Sequence, residues 1–396
     1  MTHTKQFVRR ILSIVIPMTL FLGFGIDLYS PSFPLIAKSL NTNEQLVQLT
    51  IATYFFGYTI GLLFFGPISD AIGRKKPLIF GFLLYCLLSL FCAFSTNIDM
   101  LLTFRFFQGA GAASVGVMFR SILSDVFMGK QLATSMSYTS MSYRTGPIIA
   151  PLIGGYLTTY FGWSSNFYFL MIFSGLFALS VFFFLPETHT DLSPIHLKSI
   201  LKKYKALFQC RPFIGGGITN GILYAMMIIF NIVGPFFIQD ILGYSPIDFG
   251  HIAFFLGLAA LCGILFNRLL LQFLSVEKII RLGMISLIFI CILQTISAFL
   301  FPVNLYSLLI PIACIVFASG LVVSNMLSQI LELVPHSKGI TSSLSAILVV
   351  ATTGILTALS SFLKSDTIIP FALAYLAITF IAYFCYRFLF LKRAKE

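Results

Sequence analysis

Residues 164–185 read "SSNFYFLMIFSGLFALSVFFFL", twenty-two positions without a charge, and runs of this kind recur from one end of the chain to the other. A helix needs ~20 apolar residues to cross the hydrocarbon core of a bilayer. Inside lipid every backbone N–H and C=O must be satisfied within the protein, which leaves helix bundles or closed barrels. Barrel strands alternate apolar and polar residues, and these runs do not. A soluble alternative fails on composition: only 10% of residues are charged and the mean hydropathy is +0.97, against roughly 25% charged in ordinary soluble domains. Such a chain lacks the polar groups to cover a water-facing surface. The pattern predicts an all-α polytopic membrane protein.

Twelve spans are expected, near 10–32, 45–69, 77–96, 99–122, 132–159, 163–185, 212–238, 247–269, 279–300, 305–331, 339–363 and 367–390. They form an N-terminal six-helix bundle over 1–185 and a C-terminal one over 212–396. The connection 186–211 separates them, and within it "SPIHLKSILKKYKALF" has the spacing of an amphipathic helix lying at the membrane surface. Internal echoes support two pseudo-symmetric halves: Gly66 and Asp70 recur as Gly263 and Asn267, and Lys130 and Gly146 as Lys338 and Gly354. Carriers built from two such repeats place the substrate between them.

Orientation follows from the basic residues. With both termini in the cytoplasm, 20 of the 25 Lys and Arg residues fall inside, among them Arg9, Arg10, Arg74, Lys75, Lys76, Lys278, Arg281, Lys392 and Arg393. Lys38 and Lys364 fall outside, while Arg105, Arg120 and Arg144 lie within spans. This accounts for most of the +12 net charge without nucleic-acid binding. The start "KQFVRR" with no small-residue cleavage site reads as an uncleaved first helix. The seven cysteines form no C-x-x-C pair, so neither disulfides nor a metal site is expected.

Three segments carry a more specific signal. "GPISDAIGRKK", 66–76, places Gly66, Asp70, Gly73, Arg74 and Lys75 at the spacing of the signature loop of the major facilitator superfamily, which it resembles. "RFFQGAGAA", 105–113, resembles that family's fourth-span motif of Arg105 followed by Gln108 and small residues. "MSYRTGPIIAPLIGG", 141–155, is similar to the fifth-span motif of its antiporters, with Gly146, Pro151, Gly154 and Gly155 matching, Ala150 in place of a glycine, and Pro147 as an extra break. The first-span ending "GIDLYSPSFP" together with "FRSILSDVF", 119–127, looks like the bicyclomycin/chloramphenicol-resistance branch of the drug:proton antiporters. Ser124 stands where that branch often has a second arginine. The resemblance implies alternating access, a 66–76 loop that clamps the outward-facing state, a proton-coupling role for Arg105, and a bending, close-packing fifth helix.

A proton-coupled carrier needs a group that changes protonation between faces, and Asp27 is the acid deepest in any N-terminal span. Arg120, at about the depth of Asp70, is expected to pair with it in a gate. Arg144, near mid-membrane, suits an anionic substrate or a counter-ion for Asp27. Tyr54, Tyr58, Gln108, Met226, Phe230 and Asn231 are the remaining candidate substrate contacts. The leading reading is a monomeric bacterial inner-membrane antiporter. It would expel small amphipathic compounds, driven by the proton gradient and without a cofactor. The alternative cargo is an anionic metabolite, a carboxylate or siderophore, held by Arg144. An enzyme is not expected: no phosphate-binding loop is present, and the five histidines, His3, His189, His196, His251 and His336, lie mostly in the tail or loops.

Overall fold

The computed structural model describes residues 5–189, 192, 207–333 and 338–391, and the chain divides into two compact units, Met1–His196 and Leu197–Glu396. Helices dominate both, and no β-strand occurs among the described residues. The amphipathic helix expected over 193–208 lies almost wholly outside the described residues, as do Ser193, Pro194 and His196.

The first unit opens with α1 (Lys5–Met18), α2 (Leu20–Asp27), a 3-10 turn (Ser30–Ser32) and α3 (Phe33–Ser39), which together make one crossing. Next come α4 (Glu44–Ile72), α5 (Lys75–Ala93), α6 (Ile98–Val126), α7 (Gly129–Phe161) and α8 (Ser164–Phe184). The second unit contains α9 (Arg211–Phe236) with a π-turn (Phe237–Ile241), α10 (Pro246–Leu270), α11 (Val276–Leu300), α12 (Leu305–Glu332), α13 (Lys338–Ser360) and α14 (Ile369–Phe384) with a π-turn (Cys385–Leu391). Among the described residues each unit therefore has six membrane-crossing elements. Eleven of the twelve are long and apolar enough to be recognised as spans on that basis alone; α7, 33 residues long, is the one that is not.

Sequence explains the joints. Pro17 and Pro31 remove N–H groups that would bond to the carbonyls of Ser13 and Asp27, so the first crossing is jointed rather than straight. At the first joint Thr19 Oγ1 and Ser142 Oγ, each at 2.7 Å, donate to the Ile16 carbonyl. At the second, Ser30 Oγ donates to the freed Asp27 carbonyl at 3.0 Å. The expected single helix 10–32 is thus three shorter ones reaching residue 39. Side chains cap the helix starts elsewhere: Asn43, Asn97 and Asn304 accept first-turn N–H groups, and Ser245 forms a reciprocal box with Asp248.

Close helix crossings rest on small residues. A Cβ on Gly57 would run into the Phe106 carbonyl where α4 crosses α6, and one on Gly263 into the Phe317 carbonyl where α10 crosses α12. The outward rows are phenylalanine and leucine, such as Phe64, Phe80 and Phe94, the arrangement a lipid-facing surface requires.

Candidate functional site

Four arrangements bring the expected residues together, and the first centres on Arg105. Its side chain is 0% exposed, on α6, with the guanidinium 4.5 Å from the Tyr29 ring centroid and 4.3 Å from that of Tyr54. Nη2 donates to the Gly25 carbonyl at 3.0 Å, and Nη1 to Gln108 Oε1. Gln108 Nε2 in turn donates to Ser89 Oγ at 2.7 Å, and Tyr29 shares a hydrogen bond with Thr50 at 2.7 Å. Gly25 is in close contact with the hydroxyls of both Tyr54 and Tyr85: a Cβ there would lie 2.7 Å from each. Among the described residues no carboxylate touches this guanidinium. A charge sealed in this way is tolerable because two ring faces, an amide and a backbone carbonyl replace its water. Tyr54 and Gln108, expected as substrate contacts, are buried as partners of Arg105 instead. Their polar ends turn into the packing of α2, α5 and α6.

The second arrangement is the face between α2 and α7. Gly23 lies against Gly146 and Pro147, Gly146 against the Leu20 carbonyl, and Gly154 against the Leu28 carbonyl. Asp27, 0% exposed, follows Gly23 by four residues and so shares its helix face, while Gly25 points to the Arg105 side. The two candidate proton-coupling residues are thus on different sides of α2. Helix α7 continues through Pro147 and Pro151, and buries Gly146, Pro147, Pro151, Gly154 and Gly155. Arg144 is its sixteenth residue of 33, near the middle, and is half-buried. Tyr58, stacked on Tyr54 with centroids 6.4 Å apart, rests its hydroxyl on Gly116.

The third is the 66–76 loop. Arg74 Nη1 donates to Asp70 Oδ1 at 2.5 Å and to Ser69 Oγ at 2.8 Å, and Nε donates to Asp125 Oδ2 at 2.9 Å. Asp70 therefore pairs with Arg74, not with Arg120, whose guanidinium lies over the Phe119 ring at 5.0 Å. The expected Asp70–Arg120 gate pair is corrected. Similar depth put the two on a level, but Arg74, one turn past Asp70, reaches back to it first. At Gly66 a Cβ would meet nothing within 4 Å, so no close packing requires a glycine there. The turn is made by Gly73, whose φ of +90° lies where side-chain-bearing residues are strained. Burial works against the Arg74 charge, but its bonds to Asp125 and Asp70 outweigh that and hold its pKa above the usual value.

Asp125, Glu187, Ser89 and Tyr85 are participants that sequence reasoning missed. Asp125 stood in the quoted "FRSILSDVF", and an acid directly after Pro186, at the end of a span, was the available signal for Glu187. Lys75 keeps its ammonium over the Phe182 ring at 5.8 Å.

The fourth arrangement lies in the second unit. The Met226 carbonyl accepts from the Tyr375 hydroxyl, Thr379 and Cys291 share a contact of 3.3 Å, and Phe230 stacks on Phe249 with centroids 5.8 Å apart. Asn231 is buried on the same helix. Where the first unit has Asp70, this unit has Asn267, which accepts from Asn325 Nδ2 at 2.7 Å. Among the described residues no group of three His, Cys, Asp or Glu side chains is placed to hold a metal.

The sequence profile of the Major Facilitator Superfamily matches residues 15–356. An uncharacterised MFS-type transporter, YdgK of Bacillus subtilis, is 33% identical over 346 residues, 86% of each chain. A bicyclomycin resistance protein homolog of Haemophilus influenzae is 27% identical over 375 residues, 94% of each. A solved D-xylose–proton symporter superposes with a TM-score of 0.78 at 12% identity, covering 97% of this chain and 98% of that one. At that identity the likeness is one of fold.

Proposed function

The chain belongs to the Major Facilitator Superfamily, a family of transporters rather than enzymes, and on that premise we propose that it is a proton-coupled antiporter exporting small amphipathic compounds. The observation that carries the reading is Asp27: a fully buried acid at the second joint of the first crossing, on the face that packs against the glycine- and proline-bearing stretch of α7. A carboxylate there can take a proton only when the packing around it opens, which ties protonation to a change of shape. Jointed crossings are where carriers place coupling groups. The Haemophilus relative, named for bicyclomycin resistance, favours export of drug-like cargo. The proton gradient is the driving force in this reading, with no cofactor required. In this reading the carrier works as a monomer in a bacterial inner membrane with both termini in the cytoplasm, an orientation supported by the distribution of basic residues.

The test is transport in proteoliposomes of a panel of amphipathic compounds under an imposed pH gradient. Asp27→Asn is expected to remain folded, to bind compound, and to lose all gradient-driven accumulation. Uphill transport by that variant at the normal rate overturns the assignment.

Arg144 favours a second reading of the cargo. A half-buried arginine at the centre of the least apolar crossing suits an anion, such as a carboxylate or a siderophore. Under that reading Arg144→Ala abolishes binding of anionic compounds. Under the first, export of neutral and cationic compounds survives the change.

A further inference from the structure

The chain that leaves α8 returns to the 66–76 loop and ends the turn there. Glu187 Oε1 accepts from the backbone N–H of Arg74 at 2.8 Å and Oε2 from that of Lys75 at 3.1 Å. The same Oε1 also accepts from the N–H groups of Thr188 at 3.0 Å and His189 at 3.1 Å. Arg74 is the N-cap of α5 and supplies no side-chain cap of its own, so the opening N–H groups of that helix depend on an outside acceptor. A carboxylate at the positive end of the helix is the favourable one. The loop is shaped to admit it: a Cβ on Gly73 would lie 2.5 Å from Glu187 Oε2 and 2.7 Å from its Cδ. One residue on, Thr188 Oγ1 donates to Asp125 Oδ2 at 3.3 Å, the oxygen that also accepts from Arg74.

We infer that Glu187 is a positioning residue for transport: its carboxylate fixes the Gly73–Lys75 turn in the geometry that lets Arg74 bridge Asp70 and Asp125. Gly73 alone permits that turn without selecting it, because it leaves the Arg74 and Lys75 N–H groups unserved. Glu187 serves both from a point 113 residues further along the chain. The first residues of the connection between the two units thereby become part of the loop. The inference rests on the clamping role that the family resemblance implies for that loop, but the shape of the turn can be tested independently of it.

The experiment is hydrogen–deuterium exchange of the full-length protein in lipid nanodiscs, read on peptides covering 70–78. Glu187→Gln, which has one carbonyl oxygen where four N–H groups now converge, is expected to speed exchange at Arg74 and Lys75 at least tenfold and to leave α6 unchanged. Glu187→Asp keeps the charge and is expected to restore most of the protection. Gly73→Ala, which expels the carboxylate by collision, is expected to copy Glu187→Gln, and it answers the question if that variant fails to fold. Wild-type exchange at 74 and 75 in both Glu187→Gln and Gly73→Ala overturns the inference. So does a Glu187→Asp protein as unprotected as Glu187→Gln. If exchange rises as expected while transport rates stay normal, Glu187 still fixes the turn, but its role in transport and the clamping role of the loop are both refuted.

Discussion

The two units solve the same packing problem with different chemistry. Each crosses the membrane six times, and each places a small-residue crossing between its second and fourth spans, at Gly57 in one and Gly263 in the other. The first unit nevertheless buries Asp27, Arg74 and Arg105, while the buried polar side chains of the second, among the described residues, are all neutral: Asn220, Asn231, Asn267, Gln294, Asn325, serines and threonines. Its counterpart of the Asp70–Arg74–Asp125 chain is one amide–amide hydrogen bond between Asn325 and Asn267. Buried charge is tolerated in a membrane only where it does something neutral groups cannot. Under the proposed function, this contrast puts the charge-dependent steps in the first unit and leaves apolar and amide surfaces to the second.

That contrast can be broken at several points. The largest effect is expected at Arg105. Arg105→Lys keeps the charge but not a planar fork stacked between Tyr29 and Tyr54, and it leaves Gln108 or the Gly25 carbonyl unserved. One unsatisfied buried group and the lost stacking on two rings predict a combined loss of about 2–4 kcal/mol, read by thermal unfolding in detergent, together with loss of transport. Wild-type stability would mean that the buried cluster is dispensable. Asp125→Asn comes next, removing the charged acceptor of Arg74 Nε; about 1.5–3 kcal/mol is the usual scale for a hydrogen bond to a charged group. Its loss should appear as a lower unfolding midpoint and faster exchange in the 66–76 loop. In the second unit Asn325→Ala should cost only about 1 kcal/mol, with transport retained. An equal or larger cost than that of Asp125→Asn would erase the distinction between the units.

A smaller, pH-dependent effect belongs to Glu187, which faces Arg74, Lys75, Asp125 and His189. Partial burial acts to raise its pKa, but the N–H groups of Arg74, His189, Lys75 and Thr188 outweigh that and hold it below the usual carboxylate range. A depressed carboxylate contributes fully above its unfolded pKa, about 4.3, and loses that contribution as pH falls through the lower folded value. Loop protection, corrected for intrinsic exchange, should stay flat from neutrality to about pH 5 and decline only below the ordinary range. In Glu187→Gln it should not vary with pH across that window.

Much of this was legible beforehand, for a reason visible in particular residues. Span count and the loop spacing are local patterns, and the 66–76 signature put Asp70 and Arg74 in the right place. Partnership across the fold was not legible. Arg120 and Asp70 sit at similar depth, but depth fixes only one coordinate of a side chain on a helix. The angle around the axis depends on packing, and it turns Arg120 onto Phe119. Asp125 and Glu187 lie 51 and 113 positions from Arg74, too far for any spacing rule. Gln108 and Tyr54 looked like cavity residues because polar groups in spans usually line cavities. The buried Arg105, which stacks on Tyr54 and bonds Gln108, was the partner missing from that reading.

Helix α7 has a consequence for how the protein is made. With Arg144 at its centre and two prolines beyond, it lacks the apolarity that lets a segment leave the translocation channel for lipid on its own. A central arginine alone opposes that step by roughly 2.5–3.5 kcal/mol. The segment made immediately after it, α8, is among the more apolar crossings. The first crossing, synthesised earlier, already offers the Ile16 carbonyl of α1 and the Leu20 carbonyl and Gly23 of α2 as a docking face. α7 is therefore expected to enter the bilayer together with α8, as half of a helical pair.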